Sequence, residues 1–441
     1  MTGRGPGRSQ RDVLVTGMGF CLPGEGRPVL DTDDFWQVVS AGRSHLEHDG
    51  FHHGTVPLTP GMFTERFPEV PEGHRRHYAP VHLFGMVSMW QACADAGLDW
   101  RAGDLSRAAV LTARAGTDSN FDSYLAWYRA DPDTIGTAQA KDVIFRVMIA
   151  GTANDVGNVL AGLTRATGPV FSVTCGCASS GVLLGIARRM IATGEVDVAV
   201  VAGVDAFETG RLRHGKRLVD VASRRGGEAT FHSAPPVATR FDVPMRPYDR
   251  DGEGMNLGDG AVTLVLESRD HAERRGARVH GRILAQATTR SGLPSAVSID
   301  ESGGCLVSAV RSCLEGGHDL GQIPYVNGGA EGDPLFNVIE ANAISALYGS
   351  AAGDVLVTSQ EGCFGHDGAP LGAMGVASTL LMMRHGRVAP TANCRNPAEV
   401  CTFDPVPGTV PRDVSFSRAL SFNYQLGGVS SVLLLEGPDG A

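Results

Sequence analysis

Residues 171–181 read FSVTCGCASSG: an apolar strand, a turn of small residues and the start of a helix, with Cys177 at the corner. A cysteine there can act as a nucleophile. A helix N-terminus presents unpaired N–H groups and a partial positive charge. Both favour the attacking thiolate over the thiol. The same N–H groups can hold the oxyanion formed when a thioester carbonyl is attacked. A structural reading is also open for Cys177, because free cysteines are among the most buried residue types. Cys175 alternates to the other side of the corner and reads as a small core residue.

The surrounding pattern must position this corner. Residues 12–18, 106–114, 196–206 and 260–268 are apolar runs that read as strands. The run VDVAVVAGVDA (196–206) has the β-branched continuity of a strand buried on both faces. After Cys177, Val182, Leu183, Ile186, Met190 and Ile191 recur at helical spacing, so one helix face is buried. A second half follows: a strand segment over 277–290, a helix over 301–315, a strand ending at 325–327 and a helix over 336–348. Then come a strand at 354–359, a helix over 372–385 and a strand pair near 416–436. Alternating strands and helices in two comparable halves predict an α/β fold with central sheets covered on both faces. VLVTGMG (13–19) and VLVTSQEG (355–362) are short echoes that hint at duplication. The expected division is a disordered tail over 1–11, an N-terminal half over 12–268 and a C-terminal half over 269–437.

Bulk properties exclude several classes. The chain has 441 residues and a net charge of −10, which argues against general nucleic-acid binding. No stretch approaches the length of a membrane span. The polar, Gly/Arg-rich start lacks the apolar core of a signal peptide, so a cytoplasmic location is expected, with the nine cysteines reduced. None of the cysteine spacings resembles a zinc site, and no metal is expected.

Several motifs in order resemble the β-ketoacyl synthases of the thiolase superfamily, the condensing enzymes of fatty acid and polyketide synthesis. VLVTGMGFCLPG and FWQVVSAGRS (35–44) resemble the family's opening strand and helix. TCGCASSG resembles its nucleophile elbow, and GEVDVAVVAGVDA the strand that follows. RPYDRDGEGMNLGDGAVTLVLE (246–267), EGCFGHDGAPLGAMG (361–375), APTANCRNP (389–397) and LSFNYQLGGVSS (420–431) resemble later family segments. The resemblance implies a duplicated five-layered α-β-α-β-α fold, a homodimer or a pseudo-symmetric heterodimer with the homodimer favoured, and an acyl carrier protein that delivers substrate on phosphopantetheine. It implies no other cofactor. Arg211, Arg213, Lys216, Arg217, Arg224 and Arg225 are candidates for the carrier docking patch; a solvated arginine cluster is the alternative.

Carried over by residue, the family's nucleophile is Cys177 and its second histidine is His366. The backbone N–H groups of Cys177 and Leu426 are the expected oxyanion hole. Three family positions are altered: the first histidine falls on Gly329, the lysine on Glu361 and the aspartate of an Arg-Asp-Gly element on Glu253. The family handles malonate through two imidazoles and a lysine, so the altered pair Gly329 and Glu361 falls on that half-reaction. Acyl transfer onto Cys177 is untouched. The expectation is therefore an acyl acceptor that forms its next bond without decarboxylating malonate. Intramolecular aldol cyclisation with lactone release is favoured, as in the salinosporamide-type ketosynthases that make γ-lactam-β-lactones. His366 would be the base, with Glu361 or Glu331 assisting, and the small Gly329 and Leu426 leave room for a folded chain. The alternatives are an acyltransferase to an external nucleophile, a chain-length-factor-like partner, and an elongating synthase in which Asn327 orients malonate.

Overall fold

The computed structural model describes residues 11–115, 120–207, 243–294 and 300–438. Ten strands form the scaffold: β1 (Val13–Cys21), β2 (Ala109–Ala113), β3 (Val170–Val173), β4 (Val198–Asp205), β5 (Gly260–Ser268), β6 (Gly281–Arg290), β7 (Tyr325–Asn327), β8 (Leu356–Thr358), β9 (Arg418–Tyr424) and β10 (Val429–Glu436). They hydrogen-bond in the order β8-β7-β9-β10-β6-β1-β5-β4-β2-β3.

This sheet is two copies of one pattern. The first half runs β3-β2-β4-β5-β1 and the second β8-β7-β9-β10-β6. In each, the first two pairings are parallel and the next two antiparallel. The copies join through β1 and β6 at only two residue pairs, Leu14–Arg282 and Val15–Gly281. The short echoes in the sequence are not the trace of this duplication. VLVTGMG lies in β1, whose counterpart is β6, whereas VLVTSQEG begins in β8, whose counterpart is β3.

Strand alternation makes the layers. In β4, Ala199 and Val201 face a central apolar cluster, while Val198, Val200, Ala202 and Val204 face an outer one. In β10, Leu433 and Leu435 face the same central cluster, while Val432 and Leu434 face a second outer one. Each such buried Val or Leu contributes about 1.5–3 kcal/mol, so a one-residue slip is heavily penalised. Helix α1 (Pro80–Ala96) covers the outer face of the first half. Helices α3 (Gly304–Leu314) and α4 (Pro334–Tyr348) cover that of the second. Two helices fill the middle: α2 (Ser179–Thr193) after β3, and α5 (Leu371–His385) after β8. Both touch strands of both halves. Every residue of α5 from Leu371 to Met383 is buried. The result is the expected five-layered, thiolase-like α-β-α-β-α arrangement.

The central helices cross on glycine. A Cβ placed on Gly372 would lie 2.3 Å from the Gly181 nitrogen. No larger residue permits this approach, which brings the two helix N-termini together.

One expectation at the N-terminal edge changes. Arg11 is not part of a loose tail: its N–H donates to Ala192 O and its guanidinium pairs with Asp197 at 2.7 Å. The arginine cluster at 211–225 lies outside the described residues. Among the described residues, no helix is long and apolar enough to cross a membrane.

Candidate active site

The elbow after β3 is held from below. Ser179 Oγ accepts the Cys175 N–H at 2.7 Å and lies 2.6 Å from Gly176 O and 3.0 Å from Arg114 O, so it staples the turn to the end of β2. Gly176 sits at φ 51°, in the left-handed region, and a Cβ there would meet Gln425 Oε1 at 2.2 Å. The loop after β9 therefore abuts the elbow. Cys175 is half-buried in the turn and is not the core residue expected. Its place is set by the Ser179 bond. Cys177 is half-buried beside the central cluster.

The second half supplies the partner. Between β8 and α5 the chain carries Glu361 on a short helix (Glu361–Phe364), then His366. His366 N donates to Asn256 O at 2.7 Å, and Gly258 N donates to His366 O at 3.0 Å. Further along, the buried Asp205 carboxylate accepts Ala115 N–H and Ala369 N–H, the latter at 2.8 Å. That tie links the end of β2 to the histidine loop. Burial raises Asp205 to about 6, against the pull of Arg114 and these N–H groups.

These frames bring Cys177 Sγ to 2.8 Å from His366 Nε2. The other ring nitrogen, Nδ1, is 2.7 Å from Glu361 Oε2 and 3.1 Å from Glu331 Oε2. Burial alone would lower His366, but the charges of Cys177, Glu361 and Glu331 hold it well above its ordinary value. A cysteine, an imidazole and a carboxylate are thus in line, the arrangement that activates a nucleophile and fixes its base. Burial raises Glu361, with His366 opposing. Its Oε1 is buried and makes no hydrogen bond, and Glu361 lines the cavity at Cys177. Glu331, Glu361 and His366 place ligand-type atoms within 4.8 Å of one another. A divalent ion could use that donor set, but the 2.7 Å contact is that of an N–H···O hydrogen bond.

The remaining candidates divide. The N–H groups of Cys177 and Leu426 make no hydrogen bond among the described residues; Cys177 lines the cavity and Leu426 does not. Asn327 lines the cavity with its amide nitrogen on Gln360 Oε1. Glu253 is exposed on a loop and does not line the cavity.

Gly329 overturns the expectation of free room. A Cβ there would lie 3.2 Å from Phe422 O and 3.3 Å from the Tyr424 ring. The parallel pairing of β7 with β9 puts that ring beside Gly329. Tyr424 is fixed by its hydroxyl, which donates to Glu340 Oε1 at 2.7 Å, and the same oxygen accepts Gly329 N–H at 2.7 Å. The cavity at Cys177 is about 20 Å³, room for a single water. Sequence reasoning missed Tyr424. Its position two residues before Leu426 in the C-terminal loop was the available signal.

Residues 10–272 match the β-ketoacyl synthase N-terminal domain, and residues 280–395 the C-terminal domain. The chain belongs to the β-ketoacyl synthase family, a class of acyl-transferring enzymes. It is 27% identical over 443 residues to the 3-oxoacyl-[acyl-carrier-protein] synthase 2 of Vibrio cholerae serotype O1, covering 97% of this chain and 99% of that one. It is 26% identical over 442 residues to the tetracenomycin polyketide synthase ketoacyl synthase alpha subunit of Streptomyces glaucescens, covering 98% of each. Among solved structures, it resembles the ishigamide ketosynthase/chain length factor, with a TM-score of 0.78 and 23% identity over 98% of this chain and 100% of that one. The ketosynthase complex titled AntDE:AntF, a type II acyl-carrier protein with its ketosynthase bound to the hexaketide, matches with a TM-score of 0.78 and 19% identity, covering 97% and 100%.

Proposed function

We propose that this chain is a homodimeric ketosynthase of polyketide or hybrid peptide-polyketide biosynthesis that takes an acyl group from a carrier protein onto Cys177. It then forms a bond within that acyl chain without decarboxylating malonate. The observation that carries this reading is the Cys177–His366–Glu361 line, in which a carboxylate stands at the position that aligns with the family lysine. A carboxylate next to an enolate is unfavourable by a few kcal/mol at an effective dielectric of ~20. A carboxylate on the far nitrogen of an imidazole instead strengthens it as a base. The place that aligns with the first histidine is filled by Tyr424.

The steps balance on these residues. The Cys177 thiolate attacks the carrier thioester, its new oxyanion facing the N–H groups of Cys177 and Leu426. The carrier sulfur leaves with the proton from His366 Nε2. Neutral His366 then removes a proton from an acidic α-carbon of the bound chain. The enolate attacks an internal carbonyl and closes a ring. The resulting alkoxide attacks the Cys177 thioester, releasing a lactone, with a γ-lactam-β-lactone the favoured product. The thiolate and imidazolium are regenerated, so no proton or metal need be supplied, and activity should survive EDTA.

Intact-protein mass spectrometry with candidate acyl-carrier substrates tests the proposal. An adduct on the wild type but not on Cys177→Ala, followed by release of a cyclic product 18 Da lighter than the corresponding acid, is expected. Rapid CO₂ release from malonyl-carrier protein with a two-carbon-longer product would sink it. Transfer to an added amine or alcohol would replace cyclisation with external acyl transfer.

A further inference from the structure

Two buried carboxylates converge on one nitrogen. Glu361 Oε2 and Glu331 Oε2 lie 2.7 and 3.1 Å from His366 Nδ1, which carries a single hydrogen. Glu331 is 6% exposed and Glu361 2%. Two ionised carboxylates this close in a buried site oppose each other, so one of them retains a proton. The His366 ring faces that single charge from Nδ1 and Cys177 Sγ from Nε2.

We infer that Glu331 and Glu361 share one proton across His366, and that Glu331, by keeping or losing it, sets how strongly His366 acts as a base toward the acyl α-carbon. Glu331 is thus a positioning residue that acts through His366. The inference rests on the reading of Cys177 as acyl acceptor and His366 as base.

The groups facing Glu331 come from several elements. Asp333 on its own loop, Glu361 on the short helix and His366 on the loop before α5 bear on it directly, and Tyr424 of β9 feels its charge. Cys177 at the elbow, Asp367 and Glu340 of α4 interact instead with His366 or Glu361. Burial is the largest influence and raises Glu331 to about 8; His366 opposes it, and Glu361 and Asp333 add to it. Asp367 is fully buried, and burial, with the charge of Glu361, raises it well above its ordinary value.

The two half-reactions need opposite things from His366. Acyl transfer needs Nε2 to give its proton to the leaving sulfur. The second step needs Nε2 to take one from carbon: the C–H bond breaks, the N–H bond forms, and the electron pair passes into the thioester enolate. A second negative charge on the glutamate pair opposes the first transfer and favours the second.

A phenylacetyl N-acetylcysteamine thioester separates the steps, because its α-hydrogens exchange with D₂O without any ring closing. Loading of Cys177 is read by intact mass, and α-exchange by deuterium gained on the bound group. In the wild type, exchange should rise between about pH 7 and 9 with a midpoint near 8. In Glu331→Gln that rise should vanish, with exchange at about pH 9 falling roughly tenfold and loading falling much less. Glu331→Asp should restore the rise. An unchanged profile in Glu331→Gln, or loading and exchange falling together, would overturn the inference. If Cys177 takes no acyl group, the acyl-acceptor reading fails and iodoacetamide alkylation of Cys177 decides the shared proton. A step near pH 8 in the wild type that is absent in Glu331→Gln supports it; no step in the wild type overturns it.

Discussion

The turns after β3 and β8 occupy the same place in the two copies of the sheet pattern, and each leads into a central helix. The first spans residues 174–178 and the second residues 359–370. The short turn delivers one reactive group, Cys177, close to the N-terminus of α2. The long turn delivers Glu361 and His366 and anchors His366 with backbone bonds to Asn256 and Gly258. Duplication supplied two equivalent helix entrances facing each other. The shorter carries the nucleophile and the longer the base, so the two come from different halves. The halves also differ electrically. The first buries a depressed histidine, His82, beside two raised carboxyl groups, Asp155 and Asp205, that share Arg114; the second buries four raised carboxyl groups, Glu331, Asp333, Glu340 and Glu361.

The division of labour is tested most severely at Glu361. Glu361→Gln keeps the shape but removes the charge on His366 Nδ1, and should slow the step after acyl loading by about 10²–10⁴-fold. Equal loss in loading and in the second step, measured separately by mass spectrometry, would erase the distinction between the turns.

Acid should act unequally on the halves. Ala79 N–H donates to His82 Nδ1, and Asp155 is already held by Arg114 at 2.7 Å, so His82 stays neutral. Burial, then Arg114, pushes it from 6.5 to about 3. Because the folded value is depressed, its stability contribution is present above about pH 6.5 and lost as pH falls toward 3, on the order of several kcal/mol. Glu331 has the opposite sign: its folded value is raised, so its cost grows as pH rises from about 4.5 to about 8. Hydrogen exchange on lowering the pH from about 7 to 4 should open the α1 region before the loop at 331. Simultaneous opening would contradict this.

The helix crossing gives a smaller contrast. A Cβ on Gly372 meets Gly181 backbone, whereas one on Gly181 meets the Asn423 side chain at 2.4 Å. Gly372→Ala should cost about 1–3 kcal/mol in urea unfolding, and Gly181→Ala less, since a side chain yields before backbone does. Gly329→His is expected to cost about 1–2 kcal/mol, because its ring must displace Tyr424. It should not confer CO₂ release from malonyl-carrier protein. Recovery of that activity would show that the cavity readily accommodates the imidazole.

Much of the scaffold was legible because strands buried on two faces leave unbroken apolar runs. Strand β5 falls on residues 260–268 and β7 ends at Asn327, as their apolar runs predict. The meeting of Cys177 and His366 followed from motif order. Tyr424 beside Gly329 did not, because it depends on the pairing of strands far apart in sequence. Nor did the inward turn of Glu331, which a loop sequence does not encode locally. The seven-residue echo misled because repeats in a sheet are defined by strand order, and its two copies occupy unrelated positions in that order.

The glycine contact between the central helices has a further consequence. It ties the spacing of the reacting sulfur and imidazole to the two central helices. The cavity at Cys177 has a mixed wall: Leu371, Met374 and Gly375 come from α5 itself, whereas Asn423 and Tyr424 come from β9. Exchange of a side chain on β9 therefore alters the space offered to a substrate while the helix contact stays in place. Exchange at Met374 alters the same space from within the element that sets the spacing, so the two walls are not equally free to vary.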